Sequence, residues 1–249
     1  MTYCVATLAE SGLAFASDCR TNAGVDNVAT FGKMSVYEQR GERLLVLMTS
    51  GNLAITQAVI SEIRAQIVKD APSSHLLNAE SLFDAARLVG KAVRRVYEID
   101  AQALARTGTE FSASFILGGQ IKGEHPRLFL IYKEGNFIEA TPDTCFFQIG
   151  ENKYGKPILD RVITWKTSLF DAAKCMLISF DSTIRSNISV GLPIDLLIYE
   201  RDKLFPTVQR RLWQDDPYFS RIGEMWSEGL RRVFGEIPAP EWLRPEASS

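Results

Sequence analysis

Residues 2–21 read Thr2-Tyr3-Cys4-Val5-Ala6-Thr7-Leu8-Ala9-Glu10-Ser11-Gly12-Leu13-Ala14-Phe15-Ala16-Ser17-Asp18-Cys19-Arg20-Thr21. Two short apolar runs, 2–8 and 13–18, flank Glu10-Ser11-Gly12, a pattern that predicts an antiparallel hairpin. A hairpin closed at that turn lays its two open ends side by side, so Asp18 is expected close to Thr2. After it, Asn22, Gly24, Asp26 and Asn27 break any period, and residues 20–30 are expected as loop. A second strand pair follows, Lys33–Tyr37 and Leu44–Thr49, around Glu38-Gln39-Arg40-Gly41. Its run Leu44-Leu45-Val46-Leu47-Met48 is apolar on both faces and needs cover on both sides.

Beyond Asn52 the period becomes helical. Leu53, Ile55, Val59, Ile60, Ile63 and Ile67 recur at three- and four-residue steps before Pro72. A longer amphipathic helix is expected over 79–105, with Leu82, Ala86, Val89, Val93 and Val96 on one face and Arg87, Lys91, Arg94 and Glu98 opposite. Strands return at 112–119, 127–132, 137–140 and 145–149. A short helix is expected near 155–162, and another from Leu169, capped by Ser168 with Asp171 three residues on. Residues 194–199 form a last expected strand, and the rest reads as helical sequence with an extended Pro-containing tail. Runs of strands alternating with pairs of helices predict an α+β fold, a four-layer αββα sandwich of two antiparallel sheets with helices on both outer faces. Residues 2–200 are expected as one domain, with 201–249 a helical extension packed on it or at a subunit interface. The glycines make neither a GxGxxG nor a P-loop.

Composition narrows the chemistry. The 249 residues carry Lys+Arg 28 against Asp+Glu 30, a net charge of −2 that leaves no electrostatic footprint for nucleic acid. No apolar run reaches the ~18 residues of a membrane span, and the start Met-Thr-Tyr-Cys lacks the basic region of a signal peptide. Neither a nucleic-acid nor a membrane partner is expected. Cys4, Cys19, Cys145 and Cys175 lie far apart without a CxxC, so no metal and no cofactor is expected, and reduced thiols point to the cytoplasm. The chain has only two histidines, His75 and His125, both in polar stretches. A hydrolase built on this sequence needs another base.

Removal of Met1 supplies one. It exposes a threonine with both a hydroxyl and a free α-amine, whose unperturbed pKa of about 7.7–8.0 suits a general base at neutral pH. Taken singly, Thr2 reads as a tolerated second residue, Asp18 and Arg20 as loop caps or a surface pair, and Lys33 as a solvated strand end. Together they offer more. An ammonium beside the Thr hydroxyl lowers its pKa and keeps the amine neutral, and Asp18 would compensate that charge.

Thr2 before an apolar strand, then Phe15-Ala16-Ser17-Asp18-Cys19-Arg20-Thr21, Lys33 and Thr49-Ser50-Gly51, resembles the N-terminal threonine hydrolases of the proteasome β-subunit type. Asn22-Ala23-Gly24-Val25-Asp26 and the segment Asp181–Pro193 look most like the bacterial proteasome homologues of the Anbu group. The resemblance spans about residues 2–200, and the long C-terminal extension also fits that group. It implies an N-terminal nucleophile hydrolase fold, with Thr2 as nucleophile and, through its amine, as base. It also implies Asp18 and Lys33 as the tuning pair and the Gly51 N–H as an oxyanion donor, a type of contact worth ~2.7–4 kcal/mol in the transition state. Asn22 falls where the family holds substrate backbone, and Arg20 among the supporting residues.

Two positions depart from the family's pattern. Gly150-Glu151-Asn152 stands where a Gly-Ser-Gly segment is expected, so Glu151 places a carboxylate where a hydroxyl supports the amine. Ser186 and Ser189 best match an Asp-x-x-Ser support pair, with Asn187 or Asp181 as substitutes for the missing Asp. A buried Glu151 beside the amine would favour its protonated form, a poor base.

The extension interleaves Trp213, Tyr218, Phe219, Trp226, Phe234 and Trp242 with Arg210, Arg211, Arg221, Arg231 and Arg232. Acidic neighbours neutralise the patch, which therefore reads as packing or subunit contact. The resemblance implies a ring-like or spiral homo-oligomer acting on peptide or protein substrates, with an unidentified regulator as a further partner. Three readings stay open: a threonine peptidase, an amidohydrolase with a narrow non-protein amide substrate, and a non-catalytic ring scaffold.

Overall fold

In a computed structural model the described residues are 2–22, 28–71 and 74–243. The first hairpin pairs β1 (Tyr3–Ala9) with β2 (Gly12–Asp18), in register from Cys4↔Ser17 to Ala9↔Gly12. Residues on the two strands alternate between two cores. Tyr3, Val5, Ala14 and Ala16 face one way, and Cys4, Ala6, Leu13 and Phe15 the other.

A short hairpin of β3 (Arg20–Asn22) and β4 (Val28–Thr30) follows where loop is expected, with residues 23–27 between its strands outside the described set. The breakers Asn22, Gly24, Asp26 and Asn27 in the sequence hide it, because strands of three residues are too short to show a period. Then come β5 (Met34–Gln39), β6 (Arg43–Gly51), α1 (Leu53–Lys69) and α2 (Leu82–Arg106). Asn52 caps α1 by accepting from the Ala54 N–H, and Ser81 caps α2 by accepting from the Asp84 N–H. The second helix therefore begins at Leu82 rather than 79, after a single 3-10 turn at Leu76–Asn78.

Strands β7 (Ala113–Ile121), β8 (Arg127–Ile131), β9 (Phe137–Glu139) and β10 (Phe146–Gly150) lead to α3 (Lys156–Val162) and α4 (Leu169–Ser186). Ser168 caps α4 and Asp171 answers it, as the capping pattern predicts. Then follow β11 (Ile194–Glu200), β12 (Val208–Leu212) and α5 (Pro217–Glu236), and the described course ends in a 3-10 turn at Glu241–Leu243. β12 corrects the helical reading of this stretch. It is an edge strand whose middle residues Gln209, Arg210 and Arg211 are charged or polar, so it carries little of the alternating apolar signal of a half-buried strand.

One sheet runs β10-β1-β2-β11-β12 and the other β5-β6-β7-β8-β9, with neighbouring strands antiparallel throughout both. Their inner faces share a core of Phe15, Val46, Met48, Ile116, Leu128, Leu197 and Tyr199. Helices α1 and α2 cover the outside of the second sheet through Val59, Ile63, Val89 and Val93, and α4 covers the first through Met176, Leu177 and Phe180. The expected αββα layering is what is found. β6 lies in the middle, with Leu45 and Leu47 facing the helices and Leu44, Val46 and Met48 the opposite sheet, which explains its apolarity on both faces.

Gly150, at φ +84, shows how the first sheet holds the chain start: a Cβ there would fall on the Thr2 carbonyl oxygen. Gly123 has a similar φ of +89 but open space around it. Gly150→Ala is therefore expected to lower unfolding free energy by about 2 kcal/mol or more, and Gly123→Ala by about 1 kcal/mol or less. Urea unfolding of the two variants checks this, and equal losses would contradict it.

Candidate active site

The register of the first hairpin places Asp18 against Tyr3, so the Tyr3 N–H donates to Asp18 Oδ1 at 3.0 Å. Lys33, immediately before β5, reaches the same oxygen from the other sheet at 2.7 Å and also donates to the Arg20 carbonyl at 2.5 Å. Both ends of this ion pair are buried, with side-chain exposures of 0% for Asp18 and 6% for Lys33. Burial pushes the Asp18 carboxyl above its ordinary range, opposed first by Lys33 and then by the Tyr3 and Gly191 backbone. The pair is therefore one unit: removing either charge strands the other in a dry site.

Neighbouring backbone completes the frame. The Thr49 N–H donates to the Lys33 carbonyl at 3.0 Å, and the Cys4 thiol points at the Thr49 carbonyl at 3.6 Å. This ties Thr49-Ser50-Gly51 to the same corner as Thr2. Gly51 ends β6 at φ +120, and a Cβ there would run into the Ser112 carbonyl, so the position demands glycine before α1 begins. Thr2 is buried, and its carbonyl accepts the Glu151 N–H at 2.6 Å. Tyr3 anchors this start from below, with its hydroxyl 3.0 Å from Ser179 Oγ on α4 and accepting from Gln148 Nε2 at 2.8 Å.

Glu151 is buried, and both its oxygens are engaged. Oε1 accepts the Lys153 N–H and Oε2 accepts Asn187 Nδ2, each at 2.8 Å. Asn187 caps the end of α4, and its Oδ1 accepts the Ser189 N–H at 3.0 Å. Of the two substitutes weighed for the missing Asp, Asn187 therefore meets Glu151, whereas Asp181 pairs with Arg185 and lies against Gly223 of α5. Ser189 joins this loop through its backbone. Ser186 is exposed at the last turn of α4. Arg20 turns its guanidinium to the Ile188 carbonyl at 3.1 Å and lies over Gly191, bracing the loop that follows α4. The Asn22 side chain is outside the described residues.

The sequence gives no sign of the support Tyr3 lends, nor of the ion pair between Asp195 on β11 and Arg211 on β12. Tyr3 looks like any apolar strand residue until its hydroxyl partners are seen, and Arg211 sits on the unrecognised β12. His75 is spoken for elsewhere: it caps the Leu76–Asn78 turn and contacts Asp70 at 2.8 Å. Among the described residues no group of three or more His, Cys, Asp or Glu side chains is arranged to hold a metal ion. All four cysteines are free and buried, and no described helix is long and apolar enough to cross a membrane.

The geometry brings a buried carboxylate and a buried ammonium to the amide that follows Thr2, a residue that becomes the N-terminus if Met1 is removed. No protein-family model matches the chain, and no curated protein matches it. Solved structures do. An Anbu mutant from Hyphomicrobium sp. strain MC1 is 53% identical, with a TM-score of 0.90, over 97% of this chain and 100% of its own. Anbu from Yersinia bercovieri, described as an ancestral beta-subunit, is 51% identical with a TM-score of 0.90 over 96% and 100%. The Anbu complex of Pseudomonas aeruginosa, solved as a helical assembly, is 51% identical with a TM-score of 0.91 over the whole of both chains. With half its residues shared over essentially its whole length, this chain belongs to the Anbu family of proteasome-like β-subunits.

Proposed function

We propose that this chain is the subunit of a cytoplasmic, self-assembling threonine peptidase that cleaves peptide bonds through Thr2 after loss of Met1. The observation that carries the reading is the buried Lys33–Asp18 pair bonded to the amide immediately after Thr2. A desolvated ammonium at this spot favours the neutral α-amine and the ionised hydroxyl, the two forms the chemistry uses. The amine takes the hydroxyl proton as Thr2 Oγ attacks the amide carbonyl. The Gly51 N–H receives the oxyanion, and the amine returns the proton to the leaving nitrogen. Water then resolves the acyl-enzyme by the same proton path. Glu151, bonded to Lys153 and Asn187, fixes the Gly150–Asn152 turn beside Thr2. The four free cysteines fit a reducing compartment.

Assembly follows from α5. Its first half packs through Phe219 and Ile222, but its second half overhangs, with Leu230, Val233, Phe234 and Ile237 exposed on adjoining turns. A relative 51% identical to this chain forms a helical assembly. Head-to-tail copies covering this stripe give such a spiral.

Intact mass before and after an electrophile that captures N-terminal nucleophiles tests the catalytic reading. The purified protein is expected to lack Met1 and to gain one adduct on Thr2, with none on Thr2→Ala. Retained Met1, or labelling unchanged in Thr2→Ala, would overturn it. Lys33→Met leaves the Asp18 carboxylate buried and unpaired and is expected to cost about 3 kcal/mol at pH 8. In that variant the folded-state pKa of Asp18 stands further above its unfolded value. Its stabilising protonation is lost as pH rises, so the penalty should shrink at pH 5. Urea unfolding at both pH values reads this, and an equal penalty would contradict it. Leu230→Asp with Val233→Asp should leave a folded monomer by circular dichroism and sedimentation, whereas wild type sediments as larger species.

A further inference from the structure

A second charge pair lies beside the first. Asp195 on β11 and Arg211 on β12 stand directly opposite in register. Arg211 grips the carboxylate with two prongs, Nε to Oδ1 at 2.6 Å and Nη2 to Oδ2 at 2.8 Å, the geometry of the stronger Arg–carboxylate contacts. The pair touches both flanks of Lys33–Asp18. The thiol of Cys19, the residue after Asp18, donates to Asp195 Oδ2 at 3.2 Å. On the other flank a Cβ on Gly32, the residue before Lys33, would stand 3.7 Å from Arg211 Nη2 and 4.0 Å from Asp195 Oδ2.

We propose that Asp195 and Arg211 are positioning residues for the Lys33–Asp18 pair, with Arg211 neutralising a second carboxylate that would otherwise draw on Lys33 and load the site with negative charge. The groups facing Asp18 are Lys33 ahead of β5, the Cys4 and Cys19 thiols and the Tyr3 and Gly191 backbone, and Asp195 on β11 is linked to it through the Cys19 thiol. Arg20 is turned away to Ile188. Cys4 and Cys19 each feel both carboxylates. Burial first, then this negative charge, pushes both thiols up, Cys19 to about 12. The site thus holds two acids and two bases, and its balance depends on a strand from the C-terminal extension. Arg211 is 39% exposed and Asp195 17%, so solvent screens this outer pair more than the inner one.

The kinetic consequence rests on the Thr2 reading, whereas the charge balance does not. The test titrates the Asp18 side-chain carboxyl by NMR in 13C-aspartate-labelled protein, alongside the rate of electrophile capture at Thr2. Wild type, Arg211→Met, and the double variant Asp195→Asn with Arg211→Met are compared. Arg211→Met is expected to move the Asp18 titration up by about one pH unit and to slow capture about tenfold. The double variant removes the stranded charge and should return both readings to near wild type. A merely structural role for β12 would leave the double variant as impaired as the single one, and that result, or an unmoved Asp18, would overturn the proposal. If wild type captures no electrophile, the Thr2 reading fails while the titration still decides the charge balance. If Arg211→Met does not fold, a folded double variant supports the stranded carboxylate as the cause, and two unfolded variants refute it.

Discussion

Lys33 and Asp18 each bring a full charge into the sandwich, and the contact between them is what makes that tolerable. Neither charge has water to rely on. Moving such groups from water costs several kcal/mol each, and mutual attraction repays this only when the remaining valences are also filled. Here the Tyr3 N–H fills one on Asp18, and the Arg20 carbonyl fills one on Lys33. The contact has a geometric effect as well. It ties the end of β2 to the start of β5 and so fixes one sheet against the other at the edge where Thr2 lies.

The architecture explains why the pair can form. A two-residue turn at Glu10-Ser11 sets the hairpin register, and that register alone brings Asp18 to Tyr3. The β3–β4 hairpin then returns the chain so that the Phe31 N–H meets the Cys19 carbonyl, leaving Lys33 two residues on. β10 closes the other side, where Gly150 lets the backbone pass against Thr2 and Glu151 holds the Thr2 carbonyl. Tyr3 extends the support down into α4 through Ser179. The start of the chain is thus held from both neighbouring strands and from the helical layer beneath.

The first hairpin, the doubly covered β6, the helix α1 and the capped helix α4 were all legible, because periodicity and caps are local signals. Asp18 beside Thr2 was legible for the same reason, since hairpin register is local. Lys33 was legible as a charge that could tune Thr2, but not as a buried one, as nothing in its own neighbourhood marks a strand-end lysine as buried. The Glu151–Asn187 contact joins residues 36 apart, and Asp195–Arg211 depends on the pairing of an edge strand whose charged residues mask its pattern. Tyr3 was invisible because its phenol partners, Gln148 and Ser179, come from distant elements.

In the proposed chemistry the buried pair holds a free Thr2 amine in its basic form near neutral pH. The most direct test of this is an NMR titration of the α-amine in processed protein carrying 15N-threonine. A single amine resonance, assigned through its absence in Thr2→Ala, is expected to titrate at or below about pH 8. An amine that stays protonated above pH 9, held by the Glu151 carboxylate, would contradict it.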